Sequence, residues 1–304
     1  MAVDHSPSMR STLTEAKGIA EAMPEMLIEA RRVALTVLAG WHGRRTSGRG
    51  ETFWQFRPFV TGEAAASIDW RRSARDEHLF VREKEWEAAH TMWLWADLSA
   101  SMEFRSRLAP VTKRARATVL LLALAEMLAV AGERIGLAGA SDPILARNAA
   151  ERVAVLIPGA AKTPGPPDTR ALRRFSDIVL FGDFLDPIED VEATLNAILR
   201  TGARAHLVQV MDPIEETFPY FGRTEFLDPE TGTRHVVSRA EQYREDYQAR
   251  LAALRDRLRT LSRRIDWTFL IHRTDRPATE PLLALHARLA DRQNSLGLHA
   301  GLAA

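Results

Sequence analysis

A chain of 304 residues with 46% hydrophobic and 27% charged residues has enough apolar side chains for one large core or two small ones, and too many to be disordered. Its 41 basic and 40 acidic residues leave a formal net charge of +1, which argues against a broadly basic surface for nucleic acid or membrane. The absence of cysteine excludes a disulfide framework, a thiolate zinc site and a cysteine nucleophile, and permits a cytoplasmic address.

In chain order, residues 1–22 are polar and read as frayed; Asp4 and Glu15 stand where an export signal would carry positive charge and an apolar run. Met23 to Gly40 has Pro24 near its start and Leu27, Ala30, Ala34, Val37 and Leu38 at helical spacing, which predicts a helix ending at Gly40. Gly40 to Gly50 (GWHGRRTSGRG) lacks the preceding strand and the Gly-Lys-Ser/Thr of a phosphate loop, and reads as a flexible loop. Residues 51–90 mix aromatics with dense charge. Short strands and turns packing on the main domain are expected here, with Trp70 and Trp86 as buried anchors.

From Thr91 the pattern alternates. Strands are predicted at Thr91–Ala96, Arg134–Ala140, Asp177–Phe181, Ala205–Met211 and Trp267–Ile271. Helices are predicted at Val111–Ala131, Asn148–Ile157, Arg170–Phe175, Val191–Leu199, Arg239–Arg264 and Thr279–Ala290, with a loop at Pro158–Pro167 and a hairpin at Phe226–Val237. The alternation implies an α/β protein with a doubly wound, mostly parallel sheet. The most apolar stretch, Ala115 to Ala131, is interrupted by Arg116 and Glu126 and falls short of the roughly 20 residues of a membrane span. It reads as a buried amphipathic helix. Lysine occurs only as Lys17, Lys84, Lys113 and Lys162 in an arginine-rich chain, a skew attributed to genomic codon bias.

Ligands of doubly wound sheets bind beyond the C-terminal ends of the strands, near the point where strand order reverses. Two predicted strands end in acidic or hydroxyl-bearing loops. WLWADLSASM supplies Asp97, Ser99 and Ser101, and VLFGDFLDP supplies Asp183 and Asp186; PPDTRAL adds Asp168 and Thr169. All are hard oxygen donors suited to Mg²⁺ or Mn²⁺. An Asp at a strand end followed by hydroxyls at +2 and +4 aims three oxygens at one point. The hydroxyls bring no charge, so a cation held there remains under-neutralised and seeks a further anion from a partner. The competing reading is that Asp97 and Ser99 only cap a helix or close a turn.

The segment DLSASM and the helix behind it resemble the metal-ion-dependent adhesion site of von Willebrand factor A-like domains. The upstream run FRPFVTGEAAASIDWRRSARDEHLFVRE, with Ile68-Asp69-Trp70 and Ser73-Ala74-Arg75, resembles the signature of the "domain of unknown function 58" proteins. The resemblance covers Gly48 to about Asp212. It departs at Glu63, where Asp is usual, and at Ala66 and Ser67, which replace a typical Arg. It implies a von Willebrand factor A-like (Rossmann-like) fold over 88–275, preceded by an N-terminal helix and Trp-rich segment at 1–87 and followed by a C-terminal helix and tail at 276–304. In the implied site Ser99 and Ser101 are direct hydroxyl ligands and Asp97 holds metal-bound water. Thr169 is the second-loop ligand and Asp183 the third-loop carboxylate, with Gly182 where Ser is common and Asp186 a turn further out.

The resemblance implies a soluble or membrane-associated bacterial protein with no demonstrated enzymatic activity, thought to act with MoxR-type AAA+ ATPases in protein maturation or complex assembly. The expected function is therefore a non-enzymatic, cytoplasmic, metal-dependent protein-binding module. Mg²⁺ or Mn²⁺ is bound weakly without a partner, the partners are a MoxR-type ATPase and a client protein, and neither nucleic acid nor a transmembrane segment is involved. The alternatives are a Mg²⁺-dependent phosphohydrolase with Asp97 as nucleophile, or a scaffold with a decayed metal site. The phosphohydrolase wants a second carboxylate two residues on, where Ser99 stands. No Gly-x-Ser-x-Gly or His-Glu-x-x-His occurs, and the nine His are scattered.

Overall fold

The computed structural model describes residues 9–42, 53–60, 68–76, 78–84 and 90–300. They form two compact units, one of residues 42–89 and one of all the rest. Helix α1 (Met9–His42) belongs to the larger unit. The stripe expected from Met23 onward extends back to Ile19, so the helix begins well before Pro24 and carries the proline inside it.

The smaller unit pairs β1 (Phe53–Pro58) antiparallel with β2 (Phe80–Lys84) and places the four-residue helix α2 (Trp70–Ser73) between them in sequence. Ile68 bridges to Val81, and both are buried. Asp69 caps α2 by accepting from the Arg72 amide at 3.0 Å. The Ser73 hydroxyl donates to the Asp69 carbonyl at 2.8 Å and accepts from the Phe80 amide at 2.9 Å. The Arg72 guanidinium lies over the Phe56 and Phe80 rings. The Ile-Asp-Trp and Ser-Ala-Arg motifs thus form a brace between α2 and β2.

Trp70 is not the buried anchor expected; it is 62% exposed. It takes the first position of α2, between Asp69, which caps the helix, and Ser73, whose side chain bonds within the turn and to β2. Trp86 and residues 61–67, with the departures at Glu63, Ala66 and Ser67, lie outside the described residues, as does most of the Gly- and Arg-rich loop. Two substitutions follow in opposite directions. Trp70→Ala should stay within about 0.5 kcal/mol of the parent, as exposed positions do. Ser73→Ala strands the Phe80 amide and should cost about 1–3 kcal/mol. Urea unfolding of both variants checks this, and the reverse ranking would sink it.

The larger unit continues through β3 (Thr91–Ala96), α3 (Lys113–Val130), β4 (Arg134–Leu137), α4 (Ala149–Ala160), β5 (Asp177–Gly182), α5 (Ile188–Thr201) and β6 (Arg204–Met211). It then runs through α6 (Pro213–Thr217), the hairpin β7 (Thr224–Leu227) and β8 (Arg234–Val237), α7 (Arg244–Arg264), β9 (Thr268–Arg273) and α8 (Thr279–Ala300). Strands β4-β3-β5-β6-β9 lie side by side in that order, all parallel. Central strands of such a sheet are covered on both faces and read as unbroken apolar runs, as TMWLWA and DIVLFG do.

Met92, Leu94, Val179, Phe181, Val208 and Val210 share one core with α1, α3, α4 and α8. Trp93, Ile178, Leu180 and Leu207 form the other with α5 and α7. Helix α3 is buried almost all round, which explains why it is apolar on every face. Arg31 of α1 pairs with Glu126 of α3 and Glu151 of α4, tying the outer layer down. At Gly136 an added Cβ would stand 2.7 Å from the Trp93 ring, so β4 passes under that ring only as glycine.

Two local readings change. Residues 170–175 form turns rather than a helix. The Arg173 guanidinium donates to the Arg170 and Leu172 carbonyls, Ser176 bonds back to Arg173, and Phe175 takes φ 69°. Helix α4 runs through Pro158 to Ala160, into the stretch expected as loop. Among the described residues no helix is long and apolar enough to cross a membrane.

Candidate functional site

Strand order reverses between β3 and β5: the chain leaves β3 toward β4 on one side and β5 toward β6 on the other. The loops that follow them diverge and leave a crevice at their C-terminal ends. Asp97 follows β3 and Asp183 follows β5, and the Asp97 amide still donates to the Phe181 carbonyl at 2.8 Å. The Asp97 carboxylate accepts from the Ser99 amide at 2.9 Å and folds the loop back on itself. Ser99 and Ser101 then bring their hydroxyls to 3.0 Å from each other. Fully buried Met102 anchors the short 3₁₀ turn 100–103. Ser99 sits at the start of that turn, yet its side chain caps no backbone amide.

The neighbourhood is acidic. Burial chiefly, then Asp183 and Asp186, push the Asp97 carboxyl up to about 6 against the pull of its Ser99 hydrogen bonds. Asp186 is also raised, by burial and then by Asp183, Glu230 and Asp190. Asp183 is 3% exposed and already committed: one oxygen accepts from Lys113 Nζ at 2.8 Å, the other from the Leu185 amide at 3.1 Å. Lys113, 1% exposed, also donates to Glu215 at 2.6 Å. Glu215 accepts from the Asp212 amide, and Asp212 in turn accepts from the Ser106 amide, which ties the segment after the Ser loop to the end of β6.

The second loop is separate in its bonding. Asp168 is clamped by Arg170 at 2.6–3.1 Å, and those hydrogen bonds hold its carboxyl down at about 2. The Thr169 carbonyl accepts from the Leu172 amide; among the described residues no hydrogen bond joins Thr169 to the Ser loop. Asp168 instead lines a cleft of about 220 Å³ with Trp95, Leu98, Leu137 and Gly139.

Asp97, Ser99 and Ser101 therefore stand together, Asp183 stands beside them on a lysine, and among the described residues Thr169 shares no hydrogen bond with them. The donors suit a hard divalent ion: one carboxylate and two hydroxyls, all oxygen. Among the described residues no group of three or more His, Cys, Asp or Glu side chains is placed to hold a metal, so any such site depends on the hydroxyls. Lys113, Glu215 and Glu230 were not legible as site residues. For Lys113 a signal existed, since it is one of four lysines in an arginine-rich chain.

The chain is 27% identical over 296 residues to an uncharacterized protein of Mycobacterium bovis and to one of Mycobacterium tuberculosis, covering 90% of this chain and 91% of each relative. Two solved structures are similar to it: a conserved hypothetical protein BatB from Bacteroides thetaiotaomicron (TM-score 0.38, 11% identity) and an aerotolerance-related membrane protein from Bacteroides fragilis (TM-score 0.36, 14% identity). Each match covers 67% of this chain and 100% of that one. The sequence family described as "Protein of unknown function DUF58" matches residues 55–257, well over half of the chain, and the chain belongs to that family.

Proposed function

We propose that this chain is a metal-dependent protein-binding module with a von Willebrand factor A-like fold. In this reading it serves in the cytoplasm as adaptor or co-chaperone of a MoxR-type AAA+ ATPase in protein maturation or complex assembly. The observation that carries the metal reading is the Ser99–Ser101 hydroxyl pair, 3.0 Å apart, capping nothing, beside a carboxylate at the switch point. The Ser99 side chain caps no backbone amide; it lies against the Ser101 hydroxyl and the Asp97 carboxylate. Asp97, Ser99 and Ser101 would hold Mg²⁺ or Mn²⁺, and the ion, under-neutralised by one carboxylate, supplies an attachment point for a partner's acidic side chain. Binding in isolation is weak for the same reason. Thr169 and Asp183 belong to this ligand set by resemblance. The ATPase as partner also rests on the resemblance of the Ile68–Arg75 motifs and DLSASM.

The double substitution Ser99→Ala with Ser101→Ala removes two ligands and no charge. Its metal-free stability should stay within about 1 kcal/mol of the parent. Stabilisation by Mg²⁺ should vanish, because a ligand stabilises only through binding the native state. Mg²⁺-dependent capture of the ATPase from native lysate should vanish with it. A parent protein that millimolar Mg²⁺ or Mn²⁺ leaves unshifted in thermal melts overturns the reading, as does metal-dependent phosphoester turnover lost in Asp97→Asn.

A further inference from the structure

Three basic side chains near the start of α3 are buried, and they differ in what answers their charge. Lys113 holds Asp183 and Glu215, and Arg114 pairs with Glu103. Arg116, 7% exposed, has no carboxylate in ion-pair contact among the described residues. Its Nη2 donates to the Thr274 carbonyl just past β9 at 3.1 Å, while its buried Nε–H meets no acceptor. Burial weakens its hold on a proton, and the Glu29 carboxylate of α1 offsets this only in part. Two more polar side chains end without partners at the same strand end. The Thr274 amide extends the ladder by donating to the Met211 carbonyl, so His272 and Thr274 project from the same face of the sheet as Leu270. That face is the one covered by α1, α3 and α8. His272 is 2% exposed and Thr274 is wholly buried, and neither the imidazole Nε2 nor the hydroxyl has a partner among the described residues. Burial first, then Arg116, push the imidazole down to about 3, so at neutral pH it is uncharged and gives one N–H.

Folded proteins leave few buried polar groups unpaired, and a buried charge without a counter-charge is costlier still. Water would satisfy the hydrogen bonds here but not the charge of Arg116. We infer that Arg116, His272 and Thr274 form a binding site for a small oxyanion between α3 and the end of β9: a guanidinium supplies the charge, and a hydroxyl and an imidazole N–H supply two further donors. The cluster meets solvent at His272, which lines a groove of about 250 Å³ between β9 and the first turn of α8. The groove's Arg273 and Arg276 are balanced by Glu216 and Glu280, so selection for negative charge falls to the buried arginine. The inference is independent of the metal reading of the Ser loop.

The full chain, Arg116→Met and Thr274→Val are melted without divalent ions in rising sodium phosphate, and in a parallel series with acetate. Binding at a site raises the melting temperature along a saturating curve, whereas the general effect of an excluded salt does not saturate and is shared by every variant. The parent should show the saturating rise at millimolar anion, and Arg116→Met should lose it. Thr274→Val keeps the backbone carbonyl that holds Arg116 and removes only the hydroxyl, so it reads the site even if Arg116→Met fails to fold. Its curve should shift to about tenfold higher anion concentration, as the loss of one hydrogen bond to a charged group requires. Saturation by phosphate alone assigns a tetrahedral oxyanion, and saturation by acetate as well assigns a carboxylate-sized one. If neither anion stabilises the parent along a saturating curve, or if parent and Thr274→Val respond identically, the three groups are not an anion site and the inference falls.

Discussion

Replacing Asp97 by asparagine is expected to stabilise the metal-free protein at pH 7 and to abolish its response to Mg²⁺. Burial first, then Asp183 and Asp186, raise this carboxyl from 3.8 to about 6. A raised acid means that the native state holds its proton where the unfolded chain has released it. The stability contributed by the protonated form is present below about pH 4 and is lost as pH rises through 6. Two pKa units at 1.36 kcal/mol each set a ceiling near 3 kcal/mol, and partial access to water brings the expected gain to about 1–2 kcal/mol. Asparagine keeps an acceptor for the Ser99 amide and carries no charge to desolvate. The difference between variant and parent should therefore be small at pH 4 and grow to its full size by pH 7. Mg²⁺ works against the same penalty, so its stabilisation of the parent should strengthen from pH 5 to 7.5 and be absent in Asp97→Asn. Thermal melts at three pH values with and without Mg²⁺ measure all of this. A variant less stable than the parent without metal, or a difference independent of pH, would show that Asp97 carries no buried charge.

What the sequence disclosed follows from how each part is built. Strands β3 and β5 were legible because a central parallel strand is almost wholly apolar, β6 from its Leu-Val-Gln-Val-Met run, and α3 from the long apolar stretch that covering on all sides demands. Topology then put Asp97 and Asp183 at neighbouring strand ends, since parallel strands joined by helices all end on one edge of the sheet. The start of α1 was obscured by Pro24, which marks a helix start more often than an interior. Residues 170–175 were obscured by local side-chain bonds that compete with a helix. Trp70 shows the limit of composition: a ring flanked by charge reads as an anchor, but its direction was set by which neighbours, Asp69 and Ser73, took the inward bonds. Glu215 and Glu230 were illegible because their partners lie 102 and 129 residues away, and no periodicity encodes a contact made only by packing.

Lys113→Met should be the most damaging single change at the strand ends, costing about 3–5 kcal/mol, the usual penalty for breaking a buried ion pair from one side. Methionine matches the lysine stem, so the loss isolates the ammonium. Burial alone would depress that ammonium. The Asp183 and Glu215 carboxylates outweigh burial and hold it above its ordinary value, so it is charged at any pH where the protein folds. Without it, buried Asp183 and half-buried Glu215 lose the cation they share and face each other beside Asp97. Adding Asp183→Asn to Lys113→Met should recover part of the loss, whereas Asp183→Asn in the parent should be destabilising; that sign reversal is what coupling through one contact means. Lowering the pH should also narrow the deficit, as Glu215, whose carboxyl is raised chiefly by burial, takes up a proton. Urea unfolding of the parent and the three variants at pH 5 and 7.5 tests this, and a loss under 1 kcal/mol for Lys113→Met would overturn it. The same change bears on metal binding. In the parent the lysine satisfies Asp183 and leaves Asp97 as the carboxylate open to an ion. In Lys113→Met, Asp183 is free beside Asp97, and one more charged ligand should tighten Mn²⁺ binding by about tenfold. A variant that is less stable without metal and more strongly stabilised by it would identify Lys113 as the internal cation that keeps this site weak.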